Sequence, residues 1–116
     1  MTTTIELLGK RCRHQETALD ERQIAEYLAA ANGWALQDGK ITRTFAFKNY
    51  HDTLAFVNAI AYVFHVEDHH PELVVTYNRC VVKFDTHSVN NGHGGISEND
   101  FICAAKVDEI FRQAAH

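Results

Sequence analysis

Apolar positions along this chain switch between a helical and an alternating period, and the switches mark out its elements. Over residues 17–32, Leu19, Ile24, Tyr27 and Leu28 recur at helical spacing behind Thr17 or Asp20 as a cap, and Asn32-Gly33 stops the run. Trp34 and Leu36 then alternate, as do Ile41, Phe45 and Phe47. Arg43 breaks that apolar face, and Thr42 and Thr44 lie on the other. Asp38-Gly39 sits between the two runs and is a hairpin turn signal. Asn49, with Asp52 three residues later, resembles a capping box. From there to about Val66 the period is helical again, with Leu54, Val57, Ala61 and Phe64 on one stripe and Phe56, Ile60 and Val63 beside it. An arc that broad predicts a helix lying on a sheet on one side and meeting another subunit on the other. Residues 72–77 and 80–86 alternate about an Asn78-Arg79 turn. A loop rich in Gly and Asn, a mobile lid or simply slack, runs from Val89 to Gly95. Ser97-Glu98-Asn99-Asp100 opens a last helix whose apolar face carries Phe101, Ala104, Ala105, Val107 and Phe111.

The order α-β-β-α-β-β-α predicts an α+β fold, a four-stranded antiparallel sheet with three helices packed on one face. Residues 1–16 are polar and irregular and are expected to form a flexible N-terminal arm ahead of one domain spanning 17–116. A chain of 116 residues with 46% hydrophobic content suits one core. The net charge is −4 and the basic residues are scattered, which argues against a nucleic-acid partner. No apolar run approaches membrane-spanning length, and Met1 to Lys10 lack the apolar core of a signal peptide. Cys12, Cys80 and Cys103 are odd in number and widely spaced, and read as reduced thiols of a cytoplasmic protein.

The candidate chemistry lies in His65-Val66-Glu67-Asp68-His69-His70-Pro71. This stretch holds three of the eight histidines and the single proline, at the junction of a helix and a strand. With Asn78-Arg79 as a two-residue turn, Tyr77 faces Cys80, Val75 faces Val82, Leu73 faces Phe84 and His70 faces His87. Leu73, Val75, Val82 and Phe84 then make the core face, while His70, Glu72, Lys83, Asp85 and His87 share the other, with Val74 the exception. His69 approaches the same place from the helix end. Imidazoles around one pocket suit proton transfer near neutral pH. Two other readings fit the spacing. The histidines can be surface groups satisfied by Glu67, Asp68 and Glu72. Alternatively, His65 and His69, four apart, can be metal ligands with His70 or His87 as a third, although Val66 stands where a zinc-helix motif needs Glu. Cys12 and His14 are too few to make a metal site of their own.

The pattern His65-x3-His69-His70-Pro71, with Tyr77, His87 and Asp100 following, resembles the signature of the pterin-4a-carbinolamine dehydratase family. The resemblance runs from about residue 17 to the C-terminus. It takes in Gly33-Trp34, Phe45-x-Phe47, the His-His-Pro-Glu segment, Tyr77-Asn78, Thr86-His87 and Ser97-Glu98-x-Asp100. It implies dehydration of a 4a-hydroxytetrahydropterin to a quinonoid dihydropterin, in support of an aromatic amino acid hydroxylase, with no metal or redox cofactor. That reaction needs a proton on the departing 4a oxygen and loss of the proton from N5, which imidazoles in two protonation states can supply. The resemblance makes His69, His70 and His87 the catalytic set, with an acid on one of His69 and His87 and with His70 binding and polarising the pterin. It adds Trp34, His65, Pro71, Glu72 and Asp100 as substrate-binding positions. Trp34 can equally be a core residue and Asp100 a helix cap. Many relatives have an acidic residue where His65 stands, and Glu67 or Asp68 could take over its task of orienting a histidine. A homodimer or homotetramer is expected. The alternatives are a pterin-binding or dimerisation module without turnover, or a His-ligated metal-dependent hydrolase or hydratase.

Overall fold

The computed structural model describes residues 3–113. The elements are α1 (Thr4–Leu8), α2 (Glu21–Ala30), β1 (Ala35–Gln37), β2 (Lys40–Ala46), α3 (Tyr50–Glu67), β3 (Glu72–Val75), β4 (Arg79–Phe84), a 3-10 turn (Asn90–Gly92) and α4 (Glu98–Gln113). The four strands form one antiparallel sheet in the order β1-β2-β4-β3. From α2 onwards the order of helices and strands is the expected one. Its core joins Ile41, Phe45, Val82 and Phe84 of the sheet to Phe56, Ile60, Val63 and Phe64 of α3 and Phe101, Ile102 and Val107 of α4.

The local signals explain most boundaries. Asp20 caps α2 in a full capping box with Gln23. Asp38 and Gly39, at φ 50° and 79°, make the tight turn between β1 and β2, a left-handed pair that Asp-Gly tolerates. Asn49 caps α3 by accepting from the Asp52 N–H at 2.7 Å. On the core face of β2, Arg43 does not interrupt packing. Its guanidinium lies 4.5 Å from the centre of the Phe45 ring and pairs with Asp108 at 2.8 Å.

Three expectations need correction. The second hairpin turns at Tyr77-Asn78, because the Thr76 N–H donates to the Arg79 carbonyl at 2.9 Å. Val75 therefore faces Cys80 and Leu73 faces Val82, a register displaced by two residues. A shift of two leaves every side chain on its expected face but does not set His70 against His87, and the ladder begins only at Glu72. Secondly, the first sixteen residues are not irregular throughout. Thr3 caps α1, Leu7 is buried in the core and Thr4 donates to the Ala30 carbonyl. Thirdly, the Val89–Gly95 loop is tied down rather than slack. Thr86 and Gly95 exchange backbone hydrogen bonds at 2.7 and 3.0 Å, Val89 is buried, and the Asn90 N–H donates to the Glu16 carbonyl. Gly95 is required there, since a Cβ would meet the Ala18 methyl at 2.7 Å.

Candidate active site

The site begins where α3 ends. Asp68 adopts the left-handed conformation (φ 51°, ψ 45°), and the N–H groups of Asp68 and His69 both return to the Phe64 carbonyl. The reversal turns the chain away from the helix axis and sends His69 towards the start of α4. There its ring lies parallel to Phe84, with centroids 5.9 Å apart, and its Nε2 stands 2.6 Å from Oδ1 of Asp100. His69 is largely buried and Asp100 completely so.

Asp100 is a hub as well as a cap. Its Oδ2 accepts from the Ser97 N–H and from the Thr86 hydroxyl, each at 2.9 Å. The Ser97 hydroxyl is 2.7 Å from Thr86 Oγ1 and accepts from the Asn99 N–H. With the Thr86 proton committed to Asp100, Ser97 donates to Thr86, so the donors in this chain run towards the carboxylate. A carboxylate so placed accepts from His69 Nε2–H, which fixes the tautomer and leaves Nδ1 as the nitrogen available for chemistry.

His69, His70 and His87 line a single cavity of about 310 Å³, with Asp68, Asp85, Thr86 and Ser88. Its volume is in the range of small-ligand sites. His87 is highly exposed, with Nε2 3.3 Å from Asp85 Oδ1, and Asp85 is held in turn by Lys40 at 3.0 Å. The three imidazoles thus differ in setting, one buried on a carboxylate and two at the rim. A second hollow of about 400 Å³ shares Asp68, His69, Thr86 and Ser88, and its far wall is residues 12–15 with Asn99. The Asn99 side chain holds the Arg13 backbone at both N–H (3.1 Å) and carbonyl (2.6 Å).

The other proposed binding positions lie elsewhere. Trp34 is buried, and its indole N–H donates to both carboxylate oxygens of Asp108 at 2.9 and 3.0 Å. Burial raises the Asp108 carboxyl above its ordinary range, against the pull of Trp34 and Arg43. Phe84 packs against both Trp34 and His69, with ring centroids 5.9 Å from each. His65 is exposed in the last turn of α3, which does not continue to His69, so the two are not a helical i, i+4 pair. Pro71 is half-buried and Glu72 is exposed on β3. None of these four lines the histidine cavity. Nor does Glu67 orient a histidine. It is buried and engaged by Arg11 at 2.9 Å, Lys106 at 3.8 Å and the Cys12 N–H at 2.7 Å. Asp100 does the orienting. The Ser97-x-x-Asp100 spacing signalled its cap, but the contact with His69, and Thr86 as a further donor, needed the third dimension.

Residues 17–110 match the family described as Pterin 4 alpha carbinolamine dehydratase. The chain belongs to the pterin 4 alpha carbinolamine dehydratase family. A relative from Bdellovibrio bacteriovorus, named "Putative pterin-4-alpha-carbinolamine dehydratase", is 59% identical over 95% of this chain and 92% of its own. A Nitrosomonas europaea protein of the same name is 50% identical over 97% of this chain and 99% of its own. The crystal structure of a transcriptional coactivator/pterin dehydratase from Brucella melitensis aligns with TM-score 0.73 at 36% identity, covering 81% of this chain and 98% of that one. For this pterin dehydratase family member the three-histidine cavity is the candidate active site. No helix among the described residues is long and apolar enough to cross a membrane.

Proposed function

We propose that this protein dehydrates 4a-hydroxytetrahydropterins to quinonoid dihydropterins, with His69, His70 and His87 as its catalytic residues. The observation that carries this reading is the His69–Asp100 contact at 2.6 Å in the wall of a cavity that also holds the other two imidazoles. In the reaction the C4a–O bond breaks, an imidazolium gives its proton to the departing hydroxyl, and a neutral imidazole takes the proton from N5. Water and the quinonoid dihydropterin result. His69 and His87 divide these proton transfers, and His70 binds and polarises the pterin ring. Asp100 acts through His69 as a positioning residue, fixing the ring and balancing its charge when it carries the second proton.

The residues themselves supply the acid and base, and the proposed reaction needs neither a metal nor a redox cofactor. A chelator should therefore leave the rate unchanged. The protein works in the cytoplasm beside an aromatic amino acid hydroxylase that releases the 4a-hydroxypterin, and assembles as a homodimer or homotetramer. Exposed Leu54, Tyr62 and Val66 on α3 support self-association. The test of the chemical reading is steady-state dehydration by His69→Ala, His70→Ala and His87→Ala. Loss of a positioned acid or base costs on the order of 10²–10⁴ in kcat, whereas loss of a binding contact raises KM. His69→Ala and His87→Ala should follow the first pattern and His70→Ala, at least in part, the second. Three variants with wild-type kinetics would refute the assignment.

A further inference from the structure

We propose that Cys12 and Cys103 form a redox modification site, a thiol pair that a small-molecule disulfide converts into an intramolecular disulfide joining the N-terminal segment to α4. Nothing in the dehydratase chemistry uses these groups, and the proposal stands independently of it.

The two sulfurs are 3.5 Å apart although the residues are 91 positions apart in sequence. Their approach is built from three sides. The Cys12 N–H donates to Oε1 of buried Glu67 at 2.7 Å, and its thiol lies 3.6 Å from the Asn99 carbonyl. The Arg13 backbone that follows is clamped by the Asn99 side chain. Cys103 lies one turn after Asn99 in α4, so the residue that fixes the segment also fixes the distance between the sulfurs.

Access differs between the partners. Cys103 is fully buried, whereas Cys12 is half-buried and lines the hollow of about 400 Å³ beside His69. The reaction therefore enters at Cys12. Its thiol loses a proton and its sulfur attacks one sulfur of the disulfide reagent RSSR, forming Cys12–S–S–R and releasing RS⁻, which takes up the proton. Cys103 then loses its proton and attacks the Cys12 sulfur, expelling the second RS⁻, which is likewise protonated. Two protein thiols are oxidised and one RSSR is reduced to two RSH. The hydrogen bond with Cys12, burial and the nearby Glu67 and Asp100 carboxylates hold the Cys103 thiol above its ordinary range. A thiol so held does not initiate the exchange, and Cys103 serves as the resolving group because it stands 3.5 Å from the Cys12 sulfur. Cys80, in the sheet core with its thiol pushed up to about 11 by burial, has no such partner among the described residues.

The experiment treats the folded full chain with oxidised glutathione, blocks remaining thiols with iodoacetamide and digests with a glutamate-specific protease. Cys12 and Cys103 then fall in peptides 7–16 and 99–109, and Cys80 in a third. The expected result is a linked pair of those two peptides, an intact mass lower by two hydrogens before alkylation, full reversal by dithiothreitol, and Cys80 recovered as the carbamidomethylated thiol. Cys12→Ser should leave Cys103 unmodified in the folded protein. The proposal is overturned if Cys12 stops as a stable glutathione adduct, if no thiol reacts, if a link includes Cys80, or if Cys103 still reacts in Cys12→Ser.

Discussion

At the scale of single residues, the pairing of His69 with Asp100 is the feature on which the proposed chemistry depends. Asp100→Asn keeps the side-chain volume but turns one acceptor into a donor among three donors, His69 Nε2–H, Ser97 N–H and the Thr86 hydroxyl. It should lower kcat by roughly 10²-fold or more through the wrong His69 tautomer, and also lower Tm. His87→Ala should lower kcat with little change in Tm, because its side chain is 84% exposed. Steady-state kinetics beside a melting curve separates the two cases. Trp34→Phe makes the opposite expectation. Loss of the indole N–H leaves Asp108 with Arg43 alone among the described residues, so Tm should fall while KM stays within about twofold of wild type. A KM raised several-fold would instead place the indole against the pterin. The three histidines of the candidate site could be picked out from the sequence because they carry the pattern that resembles the family signature, and the fold brings all three to one cavity. The partner of His69 could not, since a residue 31 positions away meets it only when the αL turn at Asp68 redirects the chain.

At the scale of elements, the signals that succeeded were local. Asp38-Gly39 marked the first hairpin, Asn49 the start of α3 and Ser97 to Asp100 the start of α4. The second hairpin was displaced because Tyr77-Asn78 and Asn78-Arg79 are both acceptable turn pairs, and face alternation cannot distinguish registers two residues apart. The α1 helix was missed because its five residues carry too little periodicity. Its stability comes from tertiary contacts, above all buried Leu7. Glu98, in the first turn of α4, ties two of these elements together, since it accepts from Lys10 at 2.8 Å and from the Tyr27 hydroxyl at 2.7 Å. Burial would raise its carboxyl, but the Lys10 and Tyr27 hydrogen bonds outweigh it and hold the group below its ordinary value of 4.5. A lowered folded-state pKa contributes stability that is present above the unfolded value and is lost as pH falls through the folded one. Glu98→Gln should therefore lower Tm at pH 7 by roughly 2–6 °C, the effect of a lost charged hydrogen bond in a domain of this size. The gap from wild type should narrow progressively in melts taken at pH values further and further below 4.5. A gap that stays constant with pH would show that the ionised form contributes nothing.

At the scale of the whole molecule, the broad apolar arc of α3 divides more unequally than its sequence suggests. Phe56, Ile60, Val63 and Phe64 are buried within the chain itself, which leaves Leu54, Tyr62 and Val66 exposed on the helix, with Leu36 and Val74 exposed on the sheet. Sedimentation at micromolar concentration should show a dimer or tetramer, and a clean monomer would leave those residues without a partner. The fold frames all of this around one junction. The sheet and α3 bring the His69-His70 pair to the cavity, the loop after β4 carries Thr86 and His87, and the first turn of α4 supplies the carboxylate that fixes the buried imidazole. The most direct test of the dehydratase reading is the rate at which purified protein converts a 4a-hydroxytetrahydropterin, with spontaneous dehydration subtracted. Wild type should exceed the background by orders of magnitude, and the folded triple variant His69→Ala, His70→Ala, His87→Ala should fall to it. Wild type indistinguishable from background, or a folded triple variant as fast as wild type, would contradict the account.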